Sequence, residues 1–219
     1  MKLLFFLLIS MSIQAGQPMV AVFCSADDNA SDQFKILAHN LGKQLAGSHY
    51  GLITGGSRTG LMKEVTDGYV ATAKDLKNLY GALPQVLASY NVQHTAIPTQ
   101  NLLWTETLHT RLDIFNQRAD IIIILPGGFG TLHELLDFLV INQFTPNKKP
   151  IIIINPDGYW DHLLQQFETM IKHKLLSKHH AAALITVSSE RECLRLLTTE
   201  NFVTVEHGLE THYWERSEK

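Results

Sequence analysis

Ile121-Ile122-Ile123-Ile124-Leu125-Pro126-Gly127-Gly128-Phe129-Gly130-Thr131-Leu132-His133-Glu134 decides the fold. Four consecutive isoleucines leave no polar face, so this run predicts a strand buried on both sides, as in the middle of a parallel sheet. Pro-Gly-Gly then turns the chain, and Leu132, Leu135, Leu136, Leu139 and Val140 repeat at helical spacing behind the turn. Strand, glycine turn and helix in that order make up half of a parallel crossover unit.

The same rhythm extends outward. Val20 to Cys24, Tyr50 to Thr54, Leu79 to Leu83, Asn101 to Trp104, Ile151 to Ile154 and Leu184 to Val187 read as further strands. Between them lie helical stripes: Phe34, Leu37, Ala38, Leu41 and Leu45 behind a Ser31 cap, and Trp160, Leu163, Leu164, Phe167 and Ile171. The expected fold class is therefore α/β, a Rossmann-like three-layer sandwich with a mostly parallel central sheet and right-handed crossovers. No repeat or Pro/Gly linker marks a second domain, so residues 17–219 are expected to form a single nucleotide-binding domain. The tail from about Glu200, which carries Trp214, is polar and shows no clear period.

The apolar run Leu3 to Ile13 follows Met1-Lys2 and precedes Gln14, Ala15 and Gly16. That layout fits a signal peptide over residues 1–16, hence a periplasmic or secreted protein. It is shorter than the about 20 apolar residues of a membrane span, so no stable membrane insertion is expected. An uncleaved extension on a cytoplasmic protein is the other reading.

Composition narrows the function. Of 219 residues, 45% are apolar and 18% charged, which suits a substantial core. Eighteen basic and twenty-one acidic residues give a net charge of −3 without a basic block, so no nucleic-acid partner is expected. Cys24 and Cys193 are too few for a cluster, and His133-Glu134 is not followed by a second histidine at metal-binding spacing. Neither a metal nor a cofactor is expected.

In an open parallel sheet, ligands bind beyond the carboxyl ends of the strands. Two strand-to-helix turns there are rich in glycine: Gly55-Gly56-Ser57-Arg58-Thr59-Gly60 and Gly127-Gly128-Phe129-Gly130-Thr131. Such turns bring backbone N–H groups and the positive end of a helix up to an anion, which points to a phosphate-bearing ligand. Leu61-Met62 after Gly60 disfavours a nucleotide-triphosphate loop, and His133, standing where a dinucleotide fingerprint needs glycine, disfavours NAD binding. A helix over Thr107 to Arg118 feeds the isoleucine strand, so His109 and Arg111 at its start are expected near Gly127-Gly128, although an exposed helix residue is an equally good reading of Arg111. Glu134, in the first turn of the helix opened by Gly130-Thr131, fits either a residue that favours the helix dipole or a catalytic carboxylate. Phosphate loop, arginine and glutamate together suit cleavage of a bond next to a ribose phosphate.

These residues resemble a known family. Pro126 to Glu134 matches the PGGxGTxxE signature of the LOG ("Lonely guy") family, the cytokinin riboside 5'-monophosphate phosphoribohydrolases. Gly55-Gly56 with Gly60-Leu61-Met62, Leu79 to Pro84, Lys149-Pro150 and Asn155-Pro156-Asp157-Gly158-Tyr159-Trp160 extend the likeness over about Val20 to Leu197. The resemblance implies a homodimer that hydrolyses the N-glycosidic bond of a nucleoside 5'-monophosphate, AMP or N6-modified AMP, to free base and ribose 5-phosphate. It implies Arg111 and Glu134 as the catalytic pair, phosphate binding by Gly127, Gly128, Gly130 and Thr131, and further substrate contacts from Gly55, Gly56 and His109. Four positions depart from the pattern: Leu112 replaces a lysine, Ser57 and Lys63 replace glycines, and His133 replaces a glutamate. Relatives are often labelled lysine decarboxylases, but nothing here signals a Schiff-base lysine with a pyridoxal site. The alternative is a non-catalytic binding protein for a phosphate-bearing ligand, such as a molybdenum-cofactor carrier; a third reading is a broader nucleotide nucleosidase.

Overall fold

The computed structural model describes residues 17–146, 148–181 and 184–199. The signal peptide expected at 1–16 and the tail from residue 200 lie outside the described residues. In chain order the elements are β1 (Met19–Phe23), α1 (Asp32–Gly47), β2 (Gly51–Thr54), α2 (Gly60–Val70), β3 (Leu79–Pro84), β4 (Leu102–Thr105), α3 (Leu108–Arg118), β5 (Ile121–Ile124), α4 (Phe129–Phe144), β6 (Ile151–Ile154), α5 (Asp161–Lys172), α6 (Lys178–Ala181), β7 (Leu184–Val187) and α7 (Glu190–Thr199). The seven strands form one sheet in the order β4-β3-β2-β1-β5-β6-β7, and each neighbouring pair is parallel.

The isoleucine runs explain the three layers. Ile121 and Ile123 pack on the side of α1, α2 and α7, with Leu41, Leu45, Val65 and Leu197. Ile122 and Ile124 face the opposite way, into Phe115, Leu135, Phe138 and Leu164 of α3, α4 and α5. Successive side chains of a strand point to opposite faces, so only an unbroken apolar run can satisfy helices on both. Phe23 joins the second layer, edge-on to Phe115 at 4.8 Å between ring centroids.

All seven expected strands form, with β1 and β4 each shifted by one residue from the sequence reading. The link from β3 to β4 is different from the other crossovers: it holds short 3-10 turns at Gln85–Tyr90 and Thr99–Asn101. Pro84 and Pro98 bracket this stretch and Asn91 takes a left-handed conformation, φ 50°, which interrupts any helix.

The chain builds outward from β1 through β2, β3 and β4, then returns to place β5 on β1's other side. The strand order reverses there, so the loops after β1 and β5 flank the crevice where an open sheet takes its ligand. Helices α3 and α4 stand over it, joined at their far ends. The Asn142 side chain donates to the Lys149 carbonyl at 2.8 Å and accepts the Lys149 N–H at 3.0 Å. The Lys149 ammonium donates to the carbonyls of Asn116 and Ala119, at the end of α3 where a cation is favoured. Burial pushes the Lys149 pKa down.

Candidate active site

Helix α3 starts at a reciprocal cap: the Thr110 N–H donates to Thr107 Oγ1 and the Thr107 N–H to Thr110 Oγ1, both at 3.1 Å. This cap fixes the first turn, from which Arg111 crosses to the sheet. Its Nε donates to the Ala82 carbonyl of β3 at 2.8 Å, and its Nη1 to Glu134 Oε1 of α4 at 2.7 Å. The guanidinium carbon lies 5.0 Å from the Phe115 ring centroid. The side chain therefore joins β3, α3 and α4, and Arg111 is not the exposed helix residue that spacing alone also allowed. His109, two residues earlier, is exposed and contributes to the field at Asp137.

Helix α4 begins at Phe129, one residue before Gly130, so Glu134 lies in its second turn rather than its first. The dipole explanation for an acidic residue weakens there, because that effect fades beyond the first turn. Glu134 is 3% exposed, and Arg111 is its hydrogen-bond partner among the described residues. Burial raises its pKa above the ordinary glutamate value, against the pull of Arg111 and, more weakly, of His133. Burial raises the pKa of the Cys24 thiol, and the Glu134 carboxylate adds to that rise. A buried ion pair contributes little to stability compared with apolar packing, so its presence at the switch point needs a chemical reason.

Both glycine turns lie at the expected edge, but only one is open. At α2, the Gly60 N–H donates to Asp28 Oδ1 at 2.8 Å, and the Leu61 and Met62 N–H groups share the Ser25 carbonyl. The loop after β1 thus supplies its own carboxylate to the start of α2. Gly55 and Gly56 also serve the fold. A Cβ on Gly55 would stand 2.7 Å from both Arg111 Nη2 and Met62 Sδ, so the missing side chain makes room for the guanidinium. Gly56, at φ 73°, donates to Thr54 Oγ1 and accepts from the His94 N–H.

At α4 the situation is reversed. The N–H groups of Gly128, Phe129, Gly130 and Thr131 find no protein acceptor among the described residues, as the first turn of a helix requires when nothing caps it. A Cβ on Gly128 or Gly130 would meet nothing within 4 Å. Thr131 is 3% exposed, yet its hydroxyl has no hydrogen-bond partner among the described residues, and it sits against Gly127. Free amides, a helix N-terminus and a hydroxyl without a protein partner are the groups with which a chain can receive an anion. The Ser25 N–H bonds the Pro126 carbonyl at 3.1 Å and ties this loop to β1.

Sequence reasoning missed two parts. Asp28, which caps α2, gave no signal because its partner lies 32 residues away. Tyr159 lay within a quoted motif but received no role; its hydroxyl donates to the Gly127 carbonyl at 2.8 Å.

Residues 62–197 match a family model described as "Possible lysine decarboxylase". The "Probable cytokinin riboside 5'-monophosphate phosphoribohydrolase LOG4" of Oryza sativa subsp. japonica is 28% identical over 183 residues, covering 82% of this chain and 76% of its own. The "Cytokinin riboside 5'-monophosphate phosphoribohydrolase LOG2" of Arabidopsis thaliana is 26% identical over 178 residues, 81% of each chain. Among solved structures, the molybdenum cofactor binding protein of Rippkaea orientalis superposes with a TM-score of 0.64 at 23% identity, over 86% of this chain and 98% of that one. The molybdenum cofactor carrier protein of Chlamydomonas reinhardtii gives 0.60 at 17%, over 83% and 96%. The two superpositions establish a shared fold.

Proposed function

The chain belongs to the family described as possible lysine decarboxylase, that of its LOG relatives, and on that footing we propose that it hydrolyses the N-glycosidic bond of a nucleoside 5'-monophosphate, AMP or an N6-modified AMP. The observation that carries this reading is the buried Arg111–Glu134 pair, its glutamate on α4, the helix whose start no side chain caps. The phosphate is held by the free amides of Gly128, Phe129 and Gly130, with Thr131 donating its hydroxyl. Anchored there, the ribose presents C1' to Glu134. The carboxylate stabilises positive charge at C1' as the bond to the base breaks, or takes a proton from the attacking water. Water oxygen bonds to C1', the bonding pair leaves with the base, and the base ends protonated. Arg111 keeps the carboxylate oriented and balances its charge. Decarboxylation does not suit this geometry: no lysine joins the pair among the described residues, and the ammonium groups of Lys63 and Lys149 bond elsewhere.

Incubation with AMP, with release of adenine followed by chromatography, tests the proposal. Glu134→Gln keeps the shape and should lower turnover on the order of 10²- to 10⁴-fold. Near-normal release by that variant removes Glu134 from the chemistry. Tight nucleotide binding without turnover by the parent protein favours a non-catalytic binding protein, as the solved neighbours are named, one a binding and the other a carrier protein of the molybdenum cofactor. A panel of other monophosphates tests the broader nucleosidase.

A homodimer fits the outward face of α4. Phe129, Leu136, Val140 and Phe144 are exposed along one side of that helix, Phe129 by 91%, and a second copy would cover them. Residues 1–16 fit export; native protein beginning near Gly16 supports it, and a start at Met1 refutes it.

A further inference from the structure

We propose that Tyr159 is a positioning residue that sets the phosphate cradle in its binding orientation by holding one peptide group. The role rests on the phosphate reading above and extends it to a residue outside the glycine loop. Tyr159 Oη donates to the Gly127 carbonyl oxygen at 2.8 Å. In a trans peptide the carbonyl and the following N–H point in opposite directions, so this bond turns the Gly128 N–H away from the tyrosine. Gly128 lies where added atoms would meet open space, and its N–H has no protein acceptor among the described residues.

The neighbouring carbonyls of Pro126 and Gly128 are held by the Ser25 and Leu132 N–H groups, and Tyr159 is the partner of this peptide's carbonyl among the described residues. The peptide lies between two glycines, which lack the Cβ that normally restricts rotation. Rotated by half a turn, it would aim a carbonyl oxygen, a partial negative charge, at the seat meant for an anion.

The stand beneath Tyr159 is built to keep the hydroxyl in place. Asp157 and Gly158 adopt left-handed conformations, φ 51° and 72°, and swing the chain towards the loop. The Asp157 carboxylate accepts from Gln33 Nε2 at 3.0 Å. Asn155 Oδ1 accepts the Trp160 N–H at 2.7 Å, and its Nδ2 donates to Asp161 Oδ1 at 2.7 Å. The phenol ring is fixed edge-on between Phe34, at 5.6 Å, and Trp160, at 4.8 Å. A side chain that is 45% exposed needs no such support for stability alone. Helices α1 and α5 and the loop after β6 thus converge on one hydroxyl and one carbonyl.

The test is Tyr159→Phe, which keeps the ring and removes the donor. Inorganic phosphate serves as the probe, its binding measured by calorimetry, with the melting temperature recorded alongside. A neutral hydrogen bond of ordinary strength predicts phosphate binding weakened about 3- to 10-fold at near-parent melting temperature. With AMP, KM should rise by the same factor while kcat changes little, because the held phosphate is equally present in ground and transition states. Unchanged phosphate affinity in Tyr159→Phe, or no phosphate binding by the parent protein, overturns the role. Phosphate binding is read without turnover, so a parent that binds phosphate but releases no adenine defeats the hydrolase reading and leaves the tyrosine test intact.

Discussion

Gly127→Ala should destabilise the protein, whereas Gly128→Ala and Gly130→Ala should spare the fold and weaken anion binding. A Cβ on Gly127 would stand 2.1 Å from Thr131 Oγ1, 2.7 Å from Thr131 Cβ and 3.1 Å from the Ser25 nitrogen. Thr131 is buried in the first turn of α4 and Ser25 N is backbone, so neither can swing away as the tip of a long side chain could. Overpacking of this kind costs about 1–3 kcal/mol. In a domain of this size each kcal/mol lowers Tm by about 2–4 °C, so Gly127→Ala should melt roughly 2–12 °C below the parent. The methyl groups of the other two variants enter open space and should change stability by less than about 0.5 kcal/mol, with Gly130→Ala favoured slightly as a helical alanine. A phosphate held by these amides would lie close to the backbone of Gly128 and Gly130, so on the proposed reading added methyl groups should lower phosphate affinity in both. Differential scanning fluorimetry gives Tm and calorimetry gives phosphate binding. Adding Thr131→Ala removes the oxygen nearest the new methyl, so the double variant should recover part of the stability lost by Gly127→Ala. A parent-like Tm for Gly127→Ala, or equal damage from Gly128→Ala, would refute the reasoning.

Four further outcomes follow from the geometry. If Glu134 works as a carboxylate, kcat/KM should fall on acidification from a pH above that of an ordinary glutamate; Arg111→Met removes the chief opposing influence and should move that limb to higher pH, and a limb that stays in place excludes the pairing as its cause. The folded state holds the Glu134 proton more tightly than the unfolded chain, so this group adds stability below the ordinary value of 4.5 and withdraws it as pH rises through the shifted one; Glu134→Gln should flatten that part of a stability-against-pH curve. Lys149→Met leaves the Asn116 and Ala119 carbonyls without their cation and should cost about 1–3 kcal/mol in denaturant unfolding, with a loss of under about 0.5 kcal/mol counting against the lock. Leu136→Glu with Val140→Glu should turn a dimer into a monomer in light scattering, and an unchanged mass rules out the α4 face.

Much of the architecture was legible because both faces of the sheet are buried. Ile121 to Ile124 and Ile151 to Ile154 can satisfy two helical layers only as central strands, and the glycines after β5 mark the turn into α4. Local pattern was silent where partners are remote in sequence. Spacing placed Arg111 at the right edge but could not choose between solvent and Glu134, since that choice depends on Ala82, 29 residues away, and on the clearance at Gly55. The two glycine turns looked equivalent for the same reason: the closure of α2 depends on Asp28, a loop residue of another crossover. The β3–β4 link escaped because two prolines and a left-handed asparagine replaced a helix whose stripe was never present.

The Asp28 carboxylate at the start of α2 has a consequence for ligand size. It acts as a resident anion: the place where a second phosphoryl group could dock along this rim is already taken by the chain itself. A compound with two separated phosphates would have to evict both that carboxylate and the Ser25 carbonyl to seat the second one, whereas a compound with one needs no displacement at all. If the proposed phosphate seat at α4 holds, the rim would select by counting charges before it selects by shape.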